Sequence, residues 1–79
     1  MMGAKKDVTL YDIGTSTVWR TMTSSAAEAE LAAARRLGDT VQEYDTVDRA
    51  GNPLRVALQV DATGPYAGAD QGGVYEISK

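Results

Sequence analysis

Glu43 and Asp45 stand two positions apart in the run Thr40–Asp48. In an extended chain that spacing puts both carboxylates on one face. Such a pair suits general acid–base work, or a hard divalent cation held through oxygen ligands. The competing reading is a solvated strand face whose charges discourage edge pairing. That reading is preferred, because the rest of a catalytic kit is missing. The 79 residues include no histidine and no cysteine. The hydroxyls of Thr23, Ser24 and Ser25 therefore have only a lysine or a terminal amine as a possible activating base. Their position before an alanine-rich run fits helix capping better. Structural zinc, which relies on Cys and His, is excluded in practice. No calcium loop with its closing glutamate occurs. The glycines Gly64, Gly68, Gly72 and Gly73 are followed by neither Lys-Ser nor Lys-Thr, nor by a helix, so neither a P-loop nor a dinucleotide-binding turn is present. The expectation is a protein without catalytic residues, metal or cofactor, and so not an enzyme.

What remains is charge. Acids outnumber bases by 11 to 8, for a net charge of −3. From Gly38 onward the acids are Asp39, Glu43, Asp45, Asp48, Asp61, Asp70 and Glu76, against Arg49, Arg55 and Lys79. Between Val56 and Ser78 there is no base. Such a field repels phosphates and favours a basic partner. The residues expected to touch that partner are Glu43, Asp45, Asp48, Asp61, Tyr66, Asp70 and Glu76. The segment Asp61–Gly73, with Pro65 and the aromatic Tyr66, reads as a long acidic loop with a tip suited to insertion, or as a plain surface connection.

The aromatics Tyr11, Trp19, Tyr44, Tyr66 and Tyr75 offer a second chemistry. If Trp19 and Tyr44 share an uncovered sheet face, they can stack nucleobases. Only Arg20 and Arg55 lie on the strands, too few bases to favour nucleic acid. Arg35 and Arg36 point in different directions on a helix, and compensation of its dipole explains them.

The positioning elements follow from periodicity. Val8 and Leu10 alternate with Thr9 and Tyr11, which predicts a strand over Asp7–Ile13. Gly14-Thr15-Ser16 is a turn. Thr17–Met22 is a second strand, with Val18 and Met22 on one face and Trp19 on the other. Ser25-x-x-Glu28 fits a capping box, and half of the residues from Ala26 to Leu37 are alanine, the strongest helix former. A helix over Ser25–Leu37 results, with Ala27, Leu31, Ala34 and Leu37 on one side and Gly38 as a left-handed cap. Thr40–Asp48 is the third strand, and Arg49–Pro53 a hairpin loop. Leu54–Val60 is the fourth strand. Its Leu54, Val56, Leu58 and Val60 alternate with Arg55, Ala57 and Gln59, so the first set is expected to form core. Val74–Ile77 closes the chain.

The order β-β-α-β-β-β implies an α+β fold: one small domain over residues 1–79, residues 1–6 disordered, with a four- or five-stranded, mainly antiparallel sheet and the helix across one face. The large hydrophobes, seven Val, five Leu, two Ile, Met22 and Trp19, suffice for one such core. No disulfide is possible. No apolar run follows Lys5-Lys6, so a cytoplasmic protein without a signal peptide or membrane span is expected.

The segment Val18-Trp19-Arg20-Thr21-Met22-Thr23-Ser24-Ser25-Ala26-Ala27-Glu28-Ala29, followed by Leu37-Gly38-Asp39-Thr40-Val41, places a strand, a Thr/Ser cap, an alanine-rich helix and a Gly-Asp exit in succession. In this layout, its size and its acidity, the middle of the chain resembles small phage-encoded anti-CRISPR proteins that inhibit type I systems. The resemblance is one of style and rests on no signature motif. It implies a non-enzymatic inhibitor in the host bacterial cytoplasm, a monomer or homodimer. Such an inhibitor occupies a basic DNA-binding groove of a CRISPR effector subunit and touches no nucleic acid itself. The alternatives are a small nucleic-acid-binding module using aromatic stacking, and a phage structural or assembly protein.

Overall fold

The computed structural model describes residues 6–62 and 72–79. Strands β1 (Val8–Asp12) and β2 (Val18–Met22) precede helix α1 (Ser24–Arg36); β3 (Thr40–Val47), β4 (Pro53–Val60) and β5 (Gly72–Ser78) follow it. The strands form one five-stranded sheet in the order β2-β1-β5-β4-β3. Every pairing is antiparallel. The predicted α+β class and element order are therefore the observed ones. The last strand enters the middle of the sheet between β1 and β4, and leaves β2 and β3 as the edges.

The helix begins one residue before the expected position. Thr23, extended at φ −77° and ψ 158°, is the N-cap, and its Oγ1 accepts from the Ala26 amide at 3.2 Å. The expected Ser25–Glu28 capping box does not form. Ser25 lies inside the first turn, and Glu28 instead meets Arg55 on β4. Asp7, just ahead of β1, accepts from the Ser24 amide and hydroxyl, which ties the start of the helix to the sheet. The C-terminus behaves as its sequence suggests. Gly38 takes φ +92°, its amide bonds to Arg35 O, and the Asp39 amide reaches Ala34 O. These are the paired bonds of a Schellman cap. Leu37, expected on the buried side, is the C-cap residue and stands 74% exposed.

One face of the sheet carries Val8, Leu10, Met22, Ala57, Tyr75 and Ile77, which pack with Ala27 and Leu31 of α1 into the core. Cross-strand partners share a face, and the register Leu10↔Tyr75↔Ala57 and Val8↔Ile77 fixes which residues belong here. Ala57 and Ala27 are the small members of this core, and Leu31 of α1 is fully buried within it.

The register corrects two expectations. Leu54, Val56, Leu58 and Val60 pair with Ser78, Glu76, Val74 and Gly72, on the face away from α1. Of that set only Val56 is buried, and it lies outside the core cluster beneath the helix. The helix instead lies over Arg55, Ala57 and Gln59. Val18 and Met22 also part company. Met22 pairs with Val8 and Val18 with Tyr11, because the ladder shifts register between Leu10 and Tyr11. A one-residue shift sends every later side chain to the opposite face.

Candidate functional site

Four acids of the helix side, Glu28, Glu30, Glu43 and Asp45, are paired with bases. Arg20 makes a two-pronged contact with Glu30, at 2.7 and 2.5 Å. Arg35 bonds Glu43 at 2.6 Å, Arg55 contacts both Glu28 and Glu43, and Lys79 bonds Asp45 at 2.6 Å. Glu43 and Asp45 do share a face, as their spacing predicts, but that face is the one α1 covers in part. With both acids held by cations, their charge is not available as an open anionic pair. Surface pairs of this kind contribute modestly to stability, on the order of 0–1 kcal/mol each. Tyr75 donates to Glu30 at 3.3 Å from within the core. Burial, reinforced by the Glu30 charge, pushes its phenol up to about 12.

Asp61 is likewise engaged. The Gln59 amide donates to Asp61 at 2.7 Å and to Asp39 at 2.8 Å. This satisfies a polar side chain that is only 9% exposed under the helix side of β4. Asp48 organises the β3–β4 hairpin. Its Oδ1 accepts from the Ala50 and Asn52 amides, each at 2.9 Å, and Gly51 supplies φ +84°. Bonds from the Asn52 amide first, then from the Asn52 side chain and neighbouring amides, hold the Asp48 carboxyl below its usual range. Tyr66 and Asp70 lie outside the described residues.

The opposite face is different. In register order it presents Thr9–Glu76–Val56–Tyr44 across β1, β5, β4 and β3, flanked by Tyr11–Val74–Leu58 on one side and Ser78–Leu54–Thr46 on the other. Among the described residues no helix crosses it. A trough of about 760 Å³ opens there. Its floor is Leu54, Val56 and Val74, and its walls are Tyr11 and Tyr44. The two hairpin loops close diagonal corners, Asp12 and Ser16 at one and Asp48 and Arg49 at the other. A right-handed sheet twist lifts diagonal corners toward the same side, which makes this face concave along that diagonal. Val56 is 4% exposed at the bottom, while Tyr44 on the edge strand is 51% exposed. The Glu76 carboxylate beside Tyr11 raises its phenol above the ordinary value.

Of the seven residues expected to touch a partner, the structure thus places Asp48 and Glu76 at one concavity. Glu43 and Asp45 sit across the sheet, and Asp61 beside Gln59. Sequence reasoning missed Tyr11, Val56 and Asp12 as parts of one site. Trp19, 55% exposed on β2, and Tyr44 on β3 stand on the two outer strands, so they do not form one stacking platform. Among the described residues no acidic, His or Cys cluster is arranged to hold a metal ion. No helix among them is long and apolar enough to cross a membrane.

No protein-family model matches the chain, and neither a curated protein nor a solved structure matches it.

Proposed function

We propose that this is a non-enzymatic binding protein whose concave sheet face docks a basic protein surface. One observation carries the reading. The carboxylates lining the trough, Asp12, Asp48 and Glu76, have no Arg or Lys partner among the described residues, whereas on the helix side Glu28, Glu30, Glu43 and Asp45 each have one and Asp39 and Asp61 accept from the Gln59 amide. Surplus negative charge therefore gathers around an apolar floor, the composition of a docking site with a charged rim. An inhibitor that fills the basic DNA-binding groove of a CRISPR effector subunit, the activity implied by the anti-CRISPR resemblance, is the specific form of this proposal. The trough then takes the role first given to the Glu43–Asp45 strand.

The test is capture from a bacterial lysate on immobilised protein, followed by elution with rising salt and mass spectrometry. A protein with a basic groove, released by salt, is the expected result. Recovery of nucleic acid without protein, or of no basic protein, contradicts it.

A further inference from the structure

Residues of the trough specify the form of its occupant. The β1-to-β3 separation spans three strand intervals, about 14 Å at the usual sheet spacing. An α-helix with its side chains is about 10–12 Å across. The face also selects against an extended segment. The backbone N–H and C=O groups of β5 and β4, which carry Val74, Leu54 and Val56, are committed to the ladders with each other and with β1 and β3. An extended chain laid across Leu54, Val56 and Val74 would find no backbone partners there, and its own polar groups would lose water without replacement. A helix arrives with its hydrogen bonds already made.

Charge selects the sign of that helix. The carboxylates Asp12, Asp48 and Glu76 face the trough, with Arg49 as the single base among the described residues that line it. Tyr11 and Tyr44 present aromatic rings on its two walls, and such rings attract ammonium and guanidinium groups. Two copies of this chain pressed together through the trough would set acid rim against acid rim, so charge disfavours a self-pair.

We propose that the open face receives a basic amphipathic helix of the partner, with its apolar stripe on Leu54, Val56 and Val74 and a Lys or Arg between Tyr11, Tyr44 and Glu76. The bound complex is then a sheet with a helix on each side, α1 on one and the partner's on the other. This rests on the binding-protein reading and adds to it the secondary structure and the charge of the docked segment.

The probe is a synthetic 18-residue Leu/Lys amphipathic peptide titrated into isotope-labelled protein at low salt, followed by NMR. Saturable shifts at Thr9, Tyr11, Tyr44, Val56, Val74 and Glu76 are expected. Affinity should fall at least tenfold when Tyr44→Ala and Glu76→Gln are combined and stay within twofold in Glu43→Gln, across the sheet. Circular dichroism verifies that each variant is folded, and the gentler pair Tyr44→Leu and Glu76→Gln gives a second series. Four results overturn the proposal: equal affinity for a Leu/Glu peptide; no saturable shift at the trough; trough shifts that depend on protein concentration alone, which assign the face to a second copy; and peptide binding that emerges only when residues 63–71 are replaced by a Gly-Ser linker, which assigns it to this chain's own segment. A basic protein captured from lysate that ignores the trough substitutions overturns helix docking and leaves the binding-protein reading standing. The absence of any basic partner removes that reading itself.

Discussion

Truncating one leucine on each side of the sheet separates the folding core from the docking face. Leu31, on the sheet-facing side of α1, is fully buried among Val8, Leu10, Ala57 and Ile77. Leu31→Ala removes its packing and leaves a void, at a cost of about 2–5 kcal/mol. A 79-residue domain holds on the order of 4–12 kcal/mol in total. The substitution therefore consumes a large share of the stability, and the thermal midpoint should drop by about 8–40 °C. Leu58, on the trough face of β4, is half-buried. Leu58→Thr keeps a strand-favouring side chain there and should cost about 1 kcal/mol or less. Thermal unfolding followed at 222 nm reads both. If Leu58→Thr costs as much as Leu31→Ala, the assignment of the two faces is wrong, because the apolar side of β4 then carries the core.

Four further outcomes follow from local geometry. Thr23→Ala should lose about 1 kcal/mol in chemical denaturation and Ser25→Ala much less, because the cap is Thr23; the reverse order restores the Ser25–Glu28 box. Gly38→Ala should cost about 1 kcal/mol, since φ +92° is strained for any residue with a Cβ, and an unchanged midpoint contradicts the Schellman cap. The lowered Asp48 carboxyl stabilises the fold at pH above the ordinary aspartate value of about 3.9, and that contribution disappears as pH falls through the lowered one. Asp48→Ala should therefore flatten the acid side of the stability–pH profile, and an unchanged profile contradicts the hairpin bonding. Tyr75 runs the other way. Its raised phenol favours the fold in full below pH 10, and the benefit is lost as pH climbs toward about 12. In a spectrophotometric titration one tyrosine should ionise last, and Tyr75→Phe should remove that step.

Local structure was readable because it depends on local chemistry. The Val8–Leu10 alternation, the alanine run and Gly38 each name their element without reference to the rest of the chain. Which face of β4 meets the helix depends on something else. The apolar set Leu54, Val56, Leu58 and Val60 is the larger one, and by size alone it belongs in the core. Yet a helix built of alanine packs best against a small residue, and Ala57 supplies one. The polar neighbours of Ala57 are tolerated on the helix side because other segments bring them partners: Glu28 and Glu43 for Arg55, Asp39 and Asp61 for Gln59. Those contacts join positions up to 27 residues apart, and no spacing rule reveals them. The bulge beside Leu10 is equally silent in sequence, and it alone separates Val18 from Met22. Acid surplus was visible in composition; its division into neutralised and open carboxylates is a property of the register.

Side-chain NMR of the protein bound to its captured partner locates the contact surface. Methyl signals of Val56, Leu58 and Val74 should shift on binding while those of Leu31 and Ala27 stay in place. Shifts confined to α1 and the Glu43–Asp45 side of β3, with the Val56 and Val74 methyls unmoved, would show that the partner docks on the other side of the sheet.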